Sequence, residues 1–513
     1  MQLESNDRAA PPFAGDDHRP RPHAIVIGSG FGGLAAAVRL LARGYRVTVL
    51  ERRDAPGGRA YVYGEQGFVF DGGPTVITAP FLFEELWQLS GRRLADDVEL
   101  LPVSPFYRIR FHDGTLFDYS GDAEAMRREV GRLAPDDVAG YEAYVRMSER
   151  IFSIGFEQLA HLPFGSWGDM ARIVPQMVRL KSYRTVYGLV AEYVRDPRLR
   201  QILSFHPLLV GGNPFSTTSI YTLIAFLERK WGVWYPRGGT GSLVQGLVRL
   251  ITSQGGVLRC NSEVSEITVT GRRATGVRLR SGETLAADVV VSNADSAYTY
   301  RELVPASVRQ HWTNTRINRT RYSMSLFVWY FGTKRRYPDV AHHTIMLGPR
   351  YRGLLDDIFR HKRLSADFSL YLHRPTATDP SLAPPGGDTF YVLSPVPHLD
   401  SGTDWRLTAE PYRQVIAQHL SQTVLPGLEQ QVVASHLITP QHFRDELLSL
   451  RGAAFGVEPT LTQSAYFRPH NSSEELERLY LVGAGTHPGA GVPGVLSSAK
   501  VLDRVVPDAQ SLV

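Results

Sequence analysis

The 513-residue chain has a single cysteine, Cys260, which excludes an intrachain disulfide and a cysteine-based metal cluster and fits a reducing compartment. It also lacks any apolar run of roughly 18 residues, so no membrane-spanning helix is predicted. Residues 1–22 lack the apolar core of a signal peptide, and we interpret them as a disordered lead-in. The 16 histidines show no metal-site spacing, so no metal is predicted.

The net charge of the chain is also small. Lys and Arg number 56 and Asp and Glu 51, for a net charge of +5, with no block of one sign. A nucleic-acid partner is therefore not predicted. The mild positive charge is either an ordinary solvated surface or attracts the chain to an anionic membrane face. The length predicts two or more structural domains.

What the chain does have begins with a βαβ unit. Residues 23–27 (HAIVI) form an apolar β-branched run, residues 28–33 (GSGFGG) predict a turn, and residues 34–43 have helical composition. A second apolar strand is predicted at 45–50 (YRVTVL). This order predicts a buried parallel sheet.

The turn matches G-x-G-x-x-G at Gly28, Gly30 and Gly33, with Gly32 beside them. Such glycines allow a tight turn, close approach of a pyrophosphate and tight helix packing, while the helix N-terminus stabilises phosphate charge. Glu51 ends the second strand, where an acid accepts hydrogen bonds from a ribose and repels a 2′-phosphate. The sequence thus predicts a Rossmann-type dinucleotide site.

The fingerprint alone does not separate FAD from NAD. Gly57, Gly58 and Arg59 follow Glu51 closely, and a Gly-Gly-Arg at this place is typical of flavoproteins. The glycines permit unusual backbone angles, and the arginine supplies a cation near the diphosphate. We therefore predict FAD. Two further predicted cofactor contacts are Arg52 and Val264.

A second glycine-rich joint between a strand and a helix lies at 479–495 (LYLVGAGTHPGAGVPGV). Glycines let the backbone approach a flat flavin, and a helix N-terminus stabilises the negative charge of the reduced ring. Gly483, Gly485, Gly494 and Val495 are the predicted contacts. The two joints are expected to converge on one flavin.

Several long strings resemble bacterial phytoene desaturases. Besides the two glycine segments, they are FDGGPTVIT (70–78), LLPVSPFYRIRF (100–111), SFHPLLVGGNPFSTTSIYTLI (204–224), GVWYPRGGTGSLVQG (232–246) and LTQSAYFRPHN (461–471). The similarity extends from about His23 to Lys500.

The resemblance implies an α/β fold (α+β overall) similar to amine oxidases and glutathione reductase, with an FAD-binding domain, a substrate-binding sheet domain and a helical, membrane-associating part. The implied division is 23–78, 232–298 and 455–507 for the FAD domain, 79–121 and 299–454 for the substrate domain, and 122–231 for the helical part.

It also implies the reaction, in which hydrogens are taken from phytoene to form neurosporene or lycopene. FAD accepts them, and quinone or oxygen reoxidises the flavin. The chain is expected on the cytoplasmic side, bound peripherally to the membrane. A hydrocarbon substrate is held by apolar burial, at about 0.8 kcal/mol per CH₂.

Aromatic and apolar residues between the motifs are together candidates for the substrate tunnel, although an ordinary core position is the better interpretation of each one alone. They are Phe205, Leu208, Phe215, Tyr221, Trp231 and Trp234, with Leu209, Phe226 and Tyr235 beside them.

Asp169 matches an acidic residue of related enzymes and is the predicted base that takes the proton. Gly168 precedes it where relatives carry arginine, so an arginine–acid pair is in doubt; an exposed aspartate at a helix start is the alternative. His206, His470 and His487 are expected to orient other groups.

Two other functions remain open. One is a different flavin enzyme on this scaffold, either another carotenoid desaturase or an amine oxidase. The other is a non-catalytic isoprenoid-binding escort, which would have no need of intact glycines at both joints.

Overall fold

The computed structural model describes residues 21–512, except for the side chain of Asp169. Most of the predicted lead-in, residues 1–20, lies outside the described residues.

The strands are β1 His23–Ile27, β2 Arg46–Leu50, β3 Val62–Glu65, β4 Phe68–Asp71, β5 Leu100–Pro102, β6 Tyr107–Phe111, β7 Leu116–Tyr119, β8 Trp234–Pro236, β9 Val257–Arg259, β10 Val264–Thr270, β11 Arg273–Leu279, β12 Thr284–Ala286, β13 Val289–Ser292, β14 Ser325–Thr333, β15 His343–Leu347, β16 Leu370–His373, β17 Asp388–Val396, β18 Val432–Ile438 and β19 Leu479–Leu481. The α-helices are α1 Phe31–Ala42, α2 Phe81–Leu89, α3 Ala123–Leu133, α4 Val138–Phe152, α5 Trp167–Arg179, α6 Val186–Val190, α7 Pro197–Ser204, α8 Leu223–Trp231, α9 Thr240–Ser253, α10 Ser296–Tyr298, α11 Asn314–Arg319, α12 Tyr351–Asp356, α13 Trp405–Thr423, α14 Pro440–Asp445 and α15 Val492–Val505.

A five-stranded parallel sheet gathers strands from the whole length of the chain, in the order β19-β13-β1-β2-β9. Alternate residues of β1 pack on opposite sides: Ala24 and Val26 join the core under α1, α9 and α15, and Ile25 and Ile27 join the core on the other face. Both faces are buried, as the β-branched composition of 23–27 predicts. The predicted Rossmann-type fold class is confirmed.

The second large sheet has seven strands, in the order β18-β14-β17-β16-β15-β6-β7. Its pairs are antiparallel except β15 with β6. On β14, Leu326, Val328 and Tyr330 face a core shared with helices α4, α6 and α7, and Phe327 and Trp329 face a core beneath α13. The first of these faces lies on the side of the candidate functional site, which is described below.

The remaining sheets are smaller. β10, β11 and β12 form an antiparallel three-stranded sheet, and β3 pairs with β4 and β5 with β8. None of the helices in the described residues combines the length and apolarity needed to cross a bilayer.

Two segments with the amphipathic pattern of helices, 182–193 and 218–229, are only partly helical in the structure. A 3₁₀ turn at Ser219–Thr222 precedes α8, and the α-helix within 182–193 is limited to α6. The reason is that the backbone of Thr218 pairs with Thr185, and that of Thr217 with Thr460, which holds both segments extended. Amino-acid composition gives no information about backbone pairing between segments that are far apart in the sequence.

Candidate functional site

The carboxyl ends of the parallel strands open into a cavity of about 1040 Å³. It extends from the two glycine joints to the helical region and the inner face of the seven-stranded sheet. Ligands bind at this edge of open α/β sheets.

The first glycine turn is shaped by backbone contacts. Gly28 has φ +87° and donates its N–H to Leu50 O at 2.8 Å. A Cβ on Gly33 would lie 2.0 Å from Gly28 O, so Gly33 packs α1 against the turn and does not line the cavity. Gly28, Gly30 and Gly32 do line it. The turn therefore presents bare backbone ahead of α1.

The two glycine joints meet in space. A Cβ on Gly32 would lie 3.1 Å from the backbone N and Cα of Gly483 and 2.6 Å from Asn293 Oδ1. Gly483 follows β19 with φ +97° and also lines the cavity. The expected convergence of opposite ends of the chain is thus present.

Glu51 is 6% exposed and lines the cavity at the end of β2. Its Oε2 accepts hydrogen bonds from Ser29 N at 2.9 Å and Ser29 Oγ at 2.6 Å, and Oε1 accepts one from Arg53 N at 3.0 Å. A carboxylate oxygen has two acceptor sites, so Oε1 keeps room for one hydroxyl donor.

Arg59 is a buried cation beside the glycine turn. Its Nε donates to Ala454 O at 2.7 Å and its Nη2 to Ser449 Oγ at 2.9 Å, and burial lowers the pKa of Arg59. The carboxylate whose charge acts on Arg59 is that of Asp295, which also lines the cavity, and no ion pair joins Arg59 to another described residue. Gly58 (φ +57°) brings this segment within van der Waals contact of Gly30.

Arg52 and Val264 also line the cavity. Arg52 Nη1 donates to the backbone carbonyls of Asp445 and Glu446 at 2.7 and 2.9 Å. These bonds hold its guanidinium at the rim.

The C-terminal joint ends where α15 begins, at Val492. Gly494 and Val495 line the cavity in the first turn of this helix, whose N-terminus carries partial positive charge. A Cβ on Gly494 would lie 2.5 Å from Gly489 O. Gly485 is not at the wall, since it packs on Ser296, whose Oγ would lie 2.4 Å from an added Cβ.

These features fit a flavin dinucleotide. A groove of bare backbone has an acid at the end of β2, a buried cation beside the glycine turn and a helix N-terminus at its other end. Any Cβ added at Gly32 or Gly494 would collide with neighbouring groups.

The other half of the cavity is apolar. Phe205, Leu208, Leu209 and Tyr221 line it, opposite Val328 of β14. Burial of these groups favours a hydrocarbon over a polar ligand.

The other predicted tunnel residues, all of them described, lie away from this wall. Phe215 stacks on Tyr187 with ring centroids 4.5 Å apart, and Trp231 is 37% exposed. The remaining three are held by other contacts: Phe226 by Phe152, Trp234 by the carbonyl of Trp231, and Tyr235 by Asp71. Apolar composition indicated burial here but not which cavity a ring faces.

A buried carboxyl group that the sequence did not point to lies in the apolar half. Glu228 on α8 is 0% exposed and lines the cavity. Tyr107 OH donates to its Oε1 at 2.6 Å, and burial raises the pKa of Tyr107 well above its usual value, so the phenol keeps its proton. His206 Nε2 lies 3.2 Å from Oε2 without the alignment of a hydrogen bond, and neither atom has another partner among the described residues.

Asp169 belongs to α5, but its side chain lies outside the described residues. His487 lines the cavity, and burial lowers its pKa to about 3, so it is neutral at pH 7. His470 makes a 2.9 Å contact from Nε2 to Tyr466 O.

Asn293 and Asp295, both lining the cavity, were also missed. Asp295 accepts hydrogen bonds from the N–H groups of Ala297 and Tyr298, and burial raises its pKa. The sequence feature that could have identified these two residues is their position just after β13, at the carboxyl edge of the parallel sheet.

Comparison with known proteins agrees with this geometry. The profile of the family described as flavin containing amine oxidoreductase matches residues 31–501. The chain is 51% identical over 479 residues to a lycopene-forming phytoene desaturase of Pantoea ananas, covering 93% of this chain and 97% of that one. It is 50% identical over 491 residues to a neurosporene-forming phytoene desaturase of Cereibacter sphaeroides, covering 95% of each.

Among solved structures, putrescine oxidase bound to putrescine superposes with a TM-score of 0.64 at 14% identity, over 95% of this chain and 99% of that one. This likeness concerns the fold. The chain belongs to the flavin-containing amine oxidoreductases and, within them, to the phytoene desaturase group. It is a flavoprotein oxidoreductase.

Replacing Gly33 with Ala is expected to weaken flavin binding at least several-fold and to lower the free energy of unfolding by roughly 1–3 kcal/mol, because the added methyl meets a backbone oxygen that cannot move freely. Flavin absorbance per protein and urea denaturation measure this. Gly165→Ala is the control, since nothing lies within 4 Å of its Cβ. Equal flavin content and stability in the two variants would contradict the packing role.

Proposed function

We propose that this chain is an FAD-dependent desaturase that converts phytoene to neurosporene, lycopene or both. The observation that carries the proposal is that one cavity joins the backbone-lined dinucleotide groove to an apolar chamber. The relatives named phytoene desaturases, at about half identity over nearly the whole chain, support the same substrate class.

FAD, rather than a 2′-phosphorylated cofactor, is supported by Glu51, whose carboxylate repels a phosphate at that place. Arg59 supplies the counter-charge for a diphosphate. In this proposal Gly483, Gly494 and Val495 hold the flavin end.

Each desaturation removes two hydrogens from neighbouring carbons. A bound flavin would supply the acceptor for a hydride from an allylic carbon, and quinone or oxygen would then take the two electrons. The chain's residues hold the polyene by apolar contact, exclude water and accept the proton that leaves the neighbouring carbon.

Purified protein given phytoene in liposomes, FAD and a quinone is expected to form more highly conjugated products, which chromatography with absorbance detection identifies. A polar amine such as putrescine is the comparison substrate and is expected to remain unoxidised, because the chamber offers it little polar contact. Oxidation of the amine without desaturation would favour an amine oxidase. A protein that binds phytoene but no flavin would favour an escort.

Two carboxyl groups are proposed as acceptors of the proton. Asp169 is the one predicted from sequence. Glu228 is supported by its full burial in the apolar half of the cavity, where a carboxylate also stabilises a carbocation strongly. Its hydrogen bond from Tyr107 orients the group.

Asp169→Asn and Glu228→Gln test the two sites with nearly unchanged side-chain shape. Loss of the base is expected to lower turnover by about 10²–10⁴-fold while bound FAD stays at the wild-type level. The measurement is single-turnover reduction of the flavin by phytoene, with flavin content as the control. Wild-type rates in both variants would remove both carboxyl groups from the mechanism.

We further propose that the cavity mouth lies against a membrane. Trp167, Val178 and Tyr183 line the cavity and are nonetheless 65%, 58% and 59% exposed. Exposed apolar groups around an opening are costly in water and are stabilised at a lipid surface. Such a position gives a membrane-dissolved hydrocarbon a path that avoids water.

Changing Trp167 and Val178 together to Glu is expected to reduce co-sedimentation with anionic vesicles several-fold, because two charges would enter the lipid interface. Leu407→Glu is the matched control: Leu407 is 76% exposed, on α13, and outside the cavity wall. If both proteins sediment like the wild type, the lipid-facing surface lies elsewhere.

A further inference from the structure

Three histidines lie together in the seven-stranded sheet, behind the cavity wall. His343 on β15 and His373 on β16 stand directly opposite each other in the antiparallel pair, and His342 immediately precedes β15. They are 5% exposed or less. One ring nitrogen from each lies within 4.8 Å of the others.

The ring nitrogens of this histidine cluster are short of partners. Nε2 of His342, Nε2 of His343 and both nitrogens of His373 are buried without a hydrogen bond among the described residues. Buried polar atoms are nearly always paired, and one unpaired nitrogen from each of the three rings is free for a shared ligand.

The remaining nitrogens are held by hydroxyl groups. His343 Nδ1 lies 2.6 Å from Tyr371 OH, and His342 Nδ1 lies 2.6 Å from Thr378 Oγ1. If the ring N–H donates to the hydroxyl in each case, Nε2 of both rings carries a free lone pair. Metal-binding histidines are oriented by such outer hydrogen bonds.

Aromatic rings enclose the cluster. His373 stacks on Tyr391 with centroids 4.7 Å apart at 9°, and Tyr235 lies 4.8 Å from His342. Burial holds the pKa of His342 and His373 well below the usual value and lowers that of His343 to about 3. Neutral imidazole is the form that binds metal.

We propose that His342, His343 and His373 bind one Zn²⁺ ion. Three imidazole nitrogens are a known donor set for zinc, which has no redox chemistry of its own, and a water or hydroxide completes the tetrahedron. Zinc–nitrogen bonds of about 2.0–2.1 Å place tetrahedral ligands about 3.4 Å apart, so small ring rotations close the cluster.

The ion would join β15 to the segment that ends β16, directly behind Tyr371 and Tyr391 of the cavity wall. It would thus stiffen the wall and take no part in electron transfer. The proposal is independent of the substrate and reverses the sequence prediction of no metal. That prediction used spacing along the chain, whereas strand pairing brings His373 to His343.

The experiment measures zinc in the purified flavoprotein after incubation with Zn²⁺ and exhaustive dialysis. We expect about one zinc per chain by elemental analysis, and zinc-edge X-ray absorption with nitrogen neighbours at about 2.0–2.1 Å. Tyr371→Phe, which removes a supporting hydroxyl, is expected to weaken retention about 10–100-fold. His373→Gln should abolish it.

His436→Gln is the control, since His436 lies on β18 at the far edge of the same sheet. It should retain zinc like the wild type, and flavin content and circular dichroism check the folding of every variant. Two outcomes would overturn the proposal: wild-type protein that retains no zinc, and a His373→Gln variant that retains as much zinc as the wild type. If the wild type retains no zinc, water molecules are the hydrogen-bond partners of the histidine nitrogens.

Discussion

The contact of Gly32 with Gly483, with Asn293 between them, is the constraint on which the rest of the site depends. It is possible only because neither glycine has a side chain and because Gly483 adopts φ +97°. The contact places the N-terminus of α1 beside the end of β19, and therefore the two ends of the chain at one groove. Every other part of the cavity is arranged relative to that groove.

The polarity of the cavity wall changes along its length, which suits two ligands of different polarity bound side by side. Near the glycine turn are the carboxylate of Glu51 and the buried cation of Arg59. Toward α8 the wall is apolar, with Glu228 as a buried exception. Within the described residues, such a wall offers apolar burial along most of its length and a buried carboxyl group at Glu228.

The strong sequence signals were local ones. The β-branched run at 23–27, the glycine turn and Glu51 are contiguous, and strand, turn, helix and acid appear in the structure in that order. Local rules also favoured α15, since proline is well suited to the first turn of a helix, where Pro493 lies. By contrast, the extended backbone at Thr217 and Thr218 depends on distant pairing partners, which composition does not reveal.

The chain by itself thus determined the dinucleotide groove, because glycine conformations and helix dipoles act over a few residues, and the resemblance of its long sequence strings indicated the family. Only the tertiary structure decided which apolar side chains face the cavity, that Glu228 is among its lining groups, and that His342, His343 and His373 share one buried space. The physical reason is that side-chain facing follows from strand register and from packing between layers. Those are properties of pairs of segments far apart in the sequence.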